Sequence, residues 1–444
     1  MTQSKERMIY LEGNRPLKGG KVDLAGSSNQ VTKAIMAAML TDDPVTIKSA
    51  PQVDERKNVA EFFQYFGGKV EELDEHTLRL TSKDISSKRI PKEVSGKNRI
   101  SILACGPLLH RFGEVSISKF LGGDQIGARP VDFHLQGFQR MGATLIEDDE
   151  YFLLKAPPKG LHGAHVVLPF PSVMTTENLL ITASRARGRT IIENAAIEPE
   201  VIELAKMLQK MGADISIKAN RTFVITGVDS MRGCEIRCMF DRNQAISFAC
   251  AALATRGDVL LTNVNHDSVF NFVTFIQRMG AIFHMSSKGL KVEAGPKPYL
   301  PLHAEVEVHP GFMTDWQQPF TVLLTQAEGV SILHETVFEN RLGYVDYLNQ
   351  MGAQITASSS CLGESSCRFK GQNHIHSAII QGRTPLVGRD FALPTDIRAG
   401  MCLVIAGLVA TGTSKLSNVK ELERKYDDLV PKLQAMGAAI EFIT

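Results

Sequence analysis

Neither sign of charge dominates this chain: 49 Lys and Arg stand against 48 Asp and Glu, a formal +1 over 444 residues. That balance provides no global basic field for nucleic acid and no acidic tail that would stay solvated. Chemistry on anions must therefore come from arginines gathered locally. Long apolar runs are missing too; the longest, around Met401 to Ala410, is about half of a membrane span. The opening MTQSKERMIY has no apolar stretch behind its charges, so neither export nor membrane anchoring is expected. The 36 Gly and 19 Pro are dispersed rather than blocked together, which argues against extended disorder. Cysteine is sparse and odd in number, at 105, 234, 238, 250, 361, 367 and 402, several of these inside apolar runs such as ILACGPL and FACAAL. These read as reduced, mostly buried thiols of a cytoplasmic protein. With 43% hydrophobic and 22% charged residues, the chain reads as a soluble enzyme long enough for two large domains.

A phrase recurs six times: FGGKVEEL at 66, MGATLIED at 141, MGADISIK at 211, MGAIFHMS at 279, MGAQITAS at 351 and MGAAIEFI at 436. The spacing of its glycines, 68 to 85 residues, is too long for a solenoid and suits a small folding unit. Each phrase follows an amphipathic run such as VIELAKMLQKMGA and precedes an alternating one such as DISIK, which reads as helix, glycine turn, strand. The glycine falls where a helix must end in a left-handed conformation. A second block lies upstream in each unit, an Ala/Leu/Ile-rich helix and then a β-branched strand, as in FACAALATRGDVLLTNV. Each unit is thus α+β, with two helices and several strands.

Five further segments give the chain a resemblance: GGDQIGARPVDFH at 122, NAAIEPEVIE at 194, HPGFMTDWQQPF at 309, ETVFENR at 335 and PTDIRAG at 394. Together they resemble the enolpyruvyl transferase family, and within it the branch acting on UDP-N-acetylglucosamine more than the shikimate-phosphate branch. The resemblance implies two domains closing over a cleft, each an inside-out α/β barrel of three βαβαββ-type units. It implies one domain from residues 1–27 plus 239–444 and another from 28–238. It also implies transfer of the enolpyruvyl group of phosphoenolpyruvate to a hydroxyl of a uridine nucleotide, with loss of phosphate. Pathway-specific use of another nucleotide such as UMP, or a non-catalytic nucleotide-sugar binder, are the alternatives. No cofactor, metal, nucleic acid or membrane partner is expected, and the chain is expected to be a monomer or a weak homo-oligomer.

Two anionic substrates call for converging guanidiniums, whose fork fits carboxylate and phosphate alike. The positions matching the family's anion-binding arginines are Arg99, Arg129, Arg398 and Arg424. Asp315 matches the carboxylate that takes the acceptor proton, and capping of the helix that follows is an alternative role compatible with it. Asp124 stands where many members carry a reactive loop cysteine; it can still act as an acid, but it cannot be alkylated by the epoxide fosfomycin. For the acceptor, the resemblance points to Asn29, Arg129, Asp132, Ser172, Val173, Glu198, Arg242 and Phe338. Two departures bear on its identity: Leu103 replaces a common aromatic, and Ile197 interrupts an often basic motif.

The sharpest departure is Gly26-Ser27-Ser28-Asn29, where the family pattern is Gly-x-Lys and the lysine contacts phosphoenolpyruvate. Ser28 can donate one hydrogen bond but brings no charge. Lys33, near the start of the next helix, is either its replacement, an anchor for another anionic acceptor, or an exposed helix residue. Finally, Cys361 and Cys367 precede His374-Ile-His376. Alternation would put both histidines on one strand face, but the cysteine spacing lies outside the usual zinc pattern, so an elaborated hairpin is expected there.

Overall fold

The computed structural model describes residues 7–123, 126–127 and 130–444. These form two compact units: residues 25–123 with 130–239, and residues 7–24 with 240–444, the latter also including Ile126 and Gly127.

Each unit contains three four-stranded sheets, and all six sheets share one topology. In the unit that ends at residue 239, the third repeat shows it plainly. The strand His165–Val167 pairs in parallel with Arg189–Glu193 across the helix Val173–Ala183. Arg189–Glu193 then pairs antiparallel with Thr222–Thr226, which forms a hairpin with Asp214–Lys218. With the helix Pro199–Lys210 between Arg189–Glu193 and Asp214–Lys218, the order is the expected βαβαββ. A parallel pair needs a crossover and an antiparallel pair only a tight turn, so the repeat length follows from this one pattern.

The discontinuity of the other unit also comes from pairing. Gly20–Asp23 lies parallel to Asp258–Thr262, and Met8–Glu12 sits between Thr413–Ser417 and Ala439–Ile443. The first strands of the chain thereby complete sheets built by its last half.

The six recurring glycines end helices as anticipated. Gly67, Gly142, Gly212, Gly280, Gly352 and Gly437 all have φ between 91° and 111°, where a Cβ is penalised. Gly212 N–H donates to Gln209 O (2.9 Å) and Ala213 N–H to Leu208 O (3.0 Å), the paired bonds of a Schellman cap. The residue before each glycine, Phe66 or a methionine, is at most 1% exposed, so the turn is also an anchor in the core.

The Ala/Leu/Ile-rich helices are buried on every side. All residues of Arg242–Ala254 and Gln317–Thr325 are buried, and Ile397–Val409 is nearly so. These three helices pack on one another. Helices apolar all round belong inside a domain, and here the sheets cover them. In the other unit Ser28–Ala37 and Val173–Ala183 play the same part. No helix among the described residues is long and apolar enough to cross a membrane. Cys105, Cys238, Cys250 and Cys402 are free and buried, and desolvation pushes the Cys238 thiol up to about 12.

Candidate active site

Many of the residues named from sequence collect at the amino ends of inner helices. Arg242 opens Arg242–Ala254, Arg398 is second in Ile397–Val409, and Asp315 lies two residues ahead of Gln317–Thr325. Asp241 and Asp396 cap two of these helices, Asp241 accepting from Asn243 N–H (3.0 Å) and Gln244 N–H (3.1 Å) and Asp396 from Arg398 N–H (2.9 Å). Helix amino ends carry unpaired N–H groups and positive partial charge, so this placement favours anions before any side chain is counted.

Asp315 is the centre of the best-defined cluster. Its Oδ1 accepts from Arg341 Nη2 at 2.8 Å. Its Oδ2 accepts from Arg398 Nε and Nη2, both at 3.4 Å, and from Asn243 Nδ2 at 3.3 Å. The arginine side chains are 2% and 5% exposed while the carboxylate keeps 23%, so an acceptor can reach the acid but not the backs of the guanidiniums. Burial alone would raise the Asp315 carboxyl; Arg341 and Arg398 outweigh it and hold the group well below the usual carboxylate range. Arg398 Nη1 also donates to Tyr426 Oη (3.0 Å), which is within 2.8 Å of Ser247 Oγ. Asp315 does not cap the helix after it. Trp316 occupies that position without a side-chain bond, because charge-assisted bonds to two guanidiniums outcompete a neutral N–H.

Arg341, the last residue of ETVFENR, was not assigned a role from sequence. It bridges Asp315 to the rest of that segment: Nη1 donates to Thr314 Oγ1 (2.6 Å), Nε lies 3.8 Å from Asp396, and its Cζ sits 5.4 Å from the Phe338 ring centroid. Beneath it the fully buried Glu335 accepts from Val337 N–H (2.6 Å) and Phe338 N–H (3.1 Å). Desolvation pushes the Glu335 carboxyl up. Phe338 is thus fixed through its backbone by an acid and across its ring by a base. Asn243 was missed as well; it accepts from Trp316 Nε1 (2.9 Å) while donating to Asp315, and lay in no motif.

Of the other assigned residues in this unit, Arg242 is 1% exposed with its Cζ 5.8 Å from the Trp316 ring. Arg424 follows the short helix Lys420–Glu423 and donates to Glu421 (2.9 Å).

In the other unit Ser28 and Asn29 open the helix Ser28–Ala37, capped by Ser27, and Ser28 is fully buried. Arg99 begins the 3₁₀ turn Arg99–Ala104, where Asn98 Oδ1 accepts from Ile100 N–H (2.7 Å). Asp132 starts Asp132–Arg140, and its Oδ1 is buried with no hydrogen-bond partner among the described residues. Ser172 caps the helix that Val173 begins, and Glu198 stands at the cap of Pro199–Lys210. Asp124 and Arg129 lie outside the described residues. Lys33 is not an exposed helix residue: it is 6% exposed, and its Nζ lies 3.9 Å from Glu177 Oε2, itself 1% exposed. Leu103 is fully buried in the core of this unit.

Six units of this topology, with a carboxylate held among guanidiniums at the ends of buried helices, define the enolpyruvyl transferase class of enzymes. The family model described as EPSP synthase (3-phosphoshikimate 1-carboxyvinyltransferase) matches residues 11–433, and the chain belongs to that family. Over 98% of its length it is 40% identical to UDP-N-acetylglucosamine 1-carboxyvinyltransferase of Protochlamydia amoebophila (strain UWE25), covering 94% of that protein. The enzyme of the same name from Acidiphilium cryptum (strain JF-5) is 38% identical, with 98% of each chain covered. Among solved structures, the enolpyruvyl transferase NikO from Streptomyces tendae superposes with a TM-score of 0.85 at 21% identity, over 99% of both chains. EPSP synthase from Acinetobacter baumannii gives 0.73 at 16% identity, covering 99% of this chain and all of that one.

Proposed function

We propose that this chain transfers the enolpyruvyl group of phosphoenolpyruvate to a hydroxyl of UDP-N-acetylglucosamine, as a cytoplasmic step in peptidoglycan precursor synthesis. The observation that carries the reading is the Asp315 carboxylate, partly open to solvent yet held by Arg341, Arg398 and Asn243. The names of its relatives at about 40% identity supply the acceptor.

In the addition step the acceptor oxygen bonds to C2 of phosphoenolpyruvate, its proton passes to Asp315, and a proton is delivered to the methylene carbon. Asp124 is the proposed donor of that second proton. In the elimination step a methyl proton returns to the Asp124 carboxylate, the C2–O bond to phosphate breaks, the proton held by Asp315 leaves with the phosphate, and the carbon–carbon double bond re-forms, now as an enol ether. Alone, Asp315 is too well stabilised to be a strong base. An anionic donor that draws on Arg398 competes for that guanidinium, which raises the carboxylate's basicity as the substrate arrives.

The missing lysine at Ser28 has no obvious substitute in Lys33, whose ammonium faces the buried Glu177. Positive potential is richer around Asp315, where Lys425 adds to the two arginines. We assign Arg398, Arg424 and Arg99 to the donor, and Asn29, Arg129, Asp132, Ser172, Val173, Glu198, Arg242 and Phe338 to the acceptor. The test is phosphate release from phosphoenolpyruvate by the purified protein with UDP-N-acetylglucosamine, UMP or no acceptor. Release that depends on UDP-N-acetylglucosamine supports the reading. Release with UMP alone, or none at all, refutes the acceptor assignment.

A further inference from the structure

The sheet formed by His303–Val306, Gly329–Glu335, Ser377–Gly382 and Gln354–Ser358 departs from its siblings in one connection. In four other sheets the two hairpin strands are joined by two or three residues, as between Asp214–Lys218 and Thr222–Thr226. Here the join runs from 359 to 376. It carries Cys361, Cys367 and His376, and it folds back over His334.

Side-chain atoms of His334, Cys361, Cys367 and His376 all lie within 4.8 Å of one another. Three features show a built site rather than a chance meeting. First, strand register brings the histidines together, since His334 pairs with Ser377, the neighbour of His376; both imidazoles are fully buried. Second, His376 is oriented as a ligand. Its Nδ1 contacts His374 O at 2.7 Å, leaving Nε2 3.4 Å from Cys361 Sγ, the outer-sphere arrangement that fixes a ligating tautomer. Third, neither ring nitrogen of His334 has a hydrogen-bond partner among the described residues. Nδ1 is 3.6 Å from Glu305 Oε2, too long for a hydrogen bond, and that carboxylate is held by Glu364 N–H and Ser365 N–H (both 2.8 Å). A fully buried imidazole with both nitrogens unpaired is costly without a further partner. The backbone also fits the site closely: a Cβ on Gly363 would fall 2.0 Å from His334 Nδ1.

We infer that His334, Cys361, Cys367 and His376 form a structural Cys₂His₂ site for one zinc ion. A tetrahedral zinc with bonds of about 2.0 Å to nitrogen and about 2.3 Å to sulfur spaces its ligands about 3.3–3.8 Å apart, so the cluster closes with side-chain shifts of an ångström or less. Two thiols lose their protons on binding, and the two thiolates balance the dication. All four positions are then taken by protein, which makes the ion structural rather than catalytic. Its role is to fix a connection that has only Phe369 as a large buried apolar anchor. That connection is also tied to the turn holding Phe338, through Arg368 on Val337 O and Asn340 Oδ1 on Ile375 N–H (3.2 Å). His374 stays outside the cluster. Sequence pointed away from metal through the unusual spacing of the two cysteines, and it gave no sign of the fourth ligand, His334, which lies on a distant strand.

The test begins with metal analysis of the full chain purified under reducing conditions without an affinity metal, which should give about one zinc per chain. Replacement by Co(II) should produce the visible bands of a tetrahedral ion and a thiolate-to-cobalt charge-transfer band. Cys361→Ser with Cys367→Ser should lose both signals, and His374→Ala should keep them. Should the double variant fail to fold, alkylation of the unaltered protein replaces it: Cys361 and Cys367 should be protected until a chelator is added, with Tm then falling by a few degrees. Absence of bound metal with both thiols freely alkylated, or a Cys361–Cys367 disulfide in metal-free protein, would overturn the inference. Neither readout requires enzymatic activity.

Discussion

Asp315→Asn is the most informative single change, because it keeps the shape of the side chain and removes only its charge. Three guanidinium nitrogens and one amide point at this carboxylate, at 2.8 to 3.4 Å. Breaking a fully buried ion pair costs about 3–5 kcal/mol, chiefly through the charge left behind. Here the carboxylate is 23% exposed, Arg341 keeps Thr314 and the more distant Asp396, and Arg398 keeps Tyr426. The loss of stability should therefore be about 1–3 kcal/mol. The loss of rate should be larger, about 10²–10⁴-fold in kcat, because the variant can neither accept the acceptor's proton nor orient its hydroxyl as an anion does. Steady-state phosphate release from phosphoenolpyruvate with UDP-N-acetylglucosamine measures the rate, and thermal melts by circular dichroism measure the stability. A variant that is folded and turns over within about threefold of the parent would refute the role of Asp315 as proton acceptor.

Other expectations follow from the same geometry. Because Asp315 titrates below its ordinary value of 3.8, its contribution to stability is fully present above the unfolded-state pKa of about 4 and is lost as pH falls through the folded value; the gap between parent and Asp315→Asn should be flat near neutrality and narrow only in strong acid, as melts across pH will show. Ser28→Lys restores a cation at the start of a buried helix and should raise phosphate release by about tenfold or more; a rate no higher than the parent's would mean that other cations already hold the donor phosphate. Fosfomycin should leave activity intact and form no adduct by intact-mass analysis, since position 124 is Asp and four of the thiols are buried; time-dependent inactivation would count against this.

How far the sequence could be read depended on whether a residue's role was local. The recurring glycines were legible because a left-handed helix end is a backbone requirement, decided within one turn, and every copy meets it. The Ala-rich helices were legible as helices, while their position inside the sheets, which their being apolar on most faces favours, was implied by the family resemblance and not by composition. Side-chain partnerships were not local. Asp315 offered two compatible roles from sequence, and of these Arg341 and Arg398, which are 26 and 83 residues away, leave it only the one at the site. A helix cap stabilises by about 1 kcal/mol, which is less than an acid gains between two desolvated guanidiniums, so tertiary electrostatics overrode the nearer option. Lys33 shows the same rule with opposite sign. An isolated lysine one turn into a helix is usually solvated, yet Glu177, brought alongside by another inner helix, allows this one to be buried. His334 is the extreme case, for only strand register sets it beside His376 and the two cysteines. Charged and metal-ligating side chains find their partners across the fold, and their meaning can be read only once the units that carry them have been assembled.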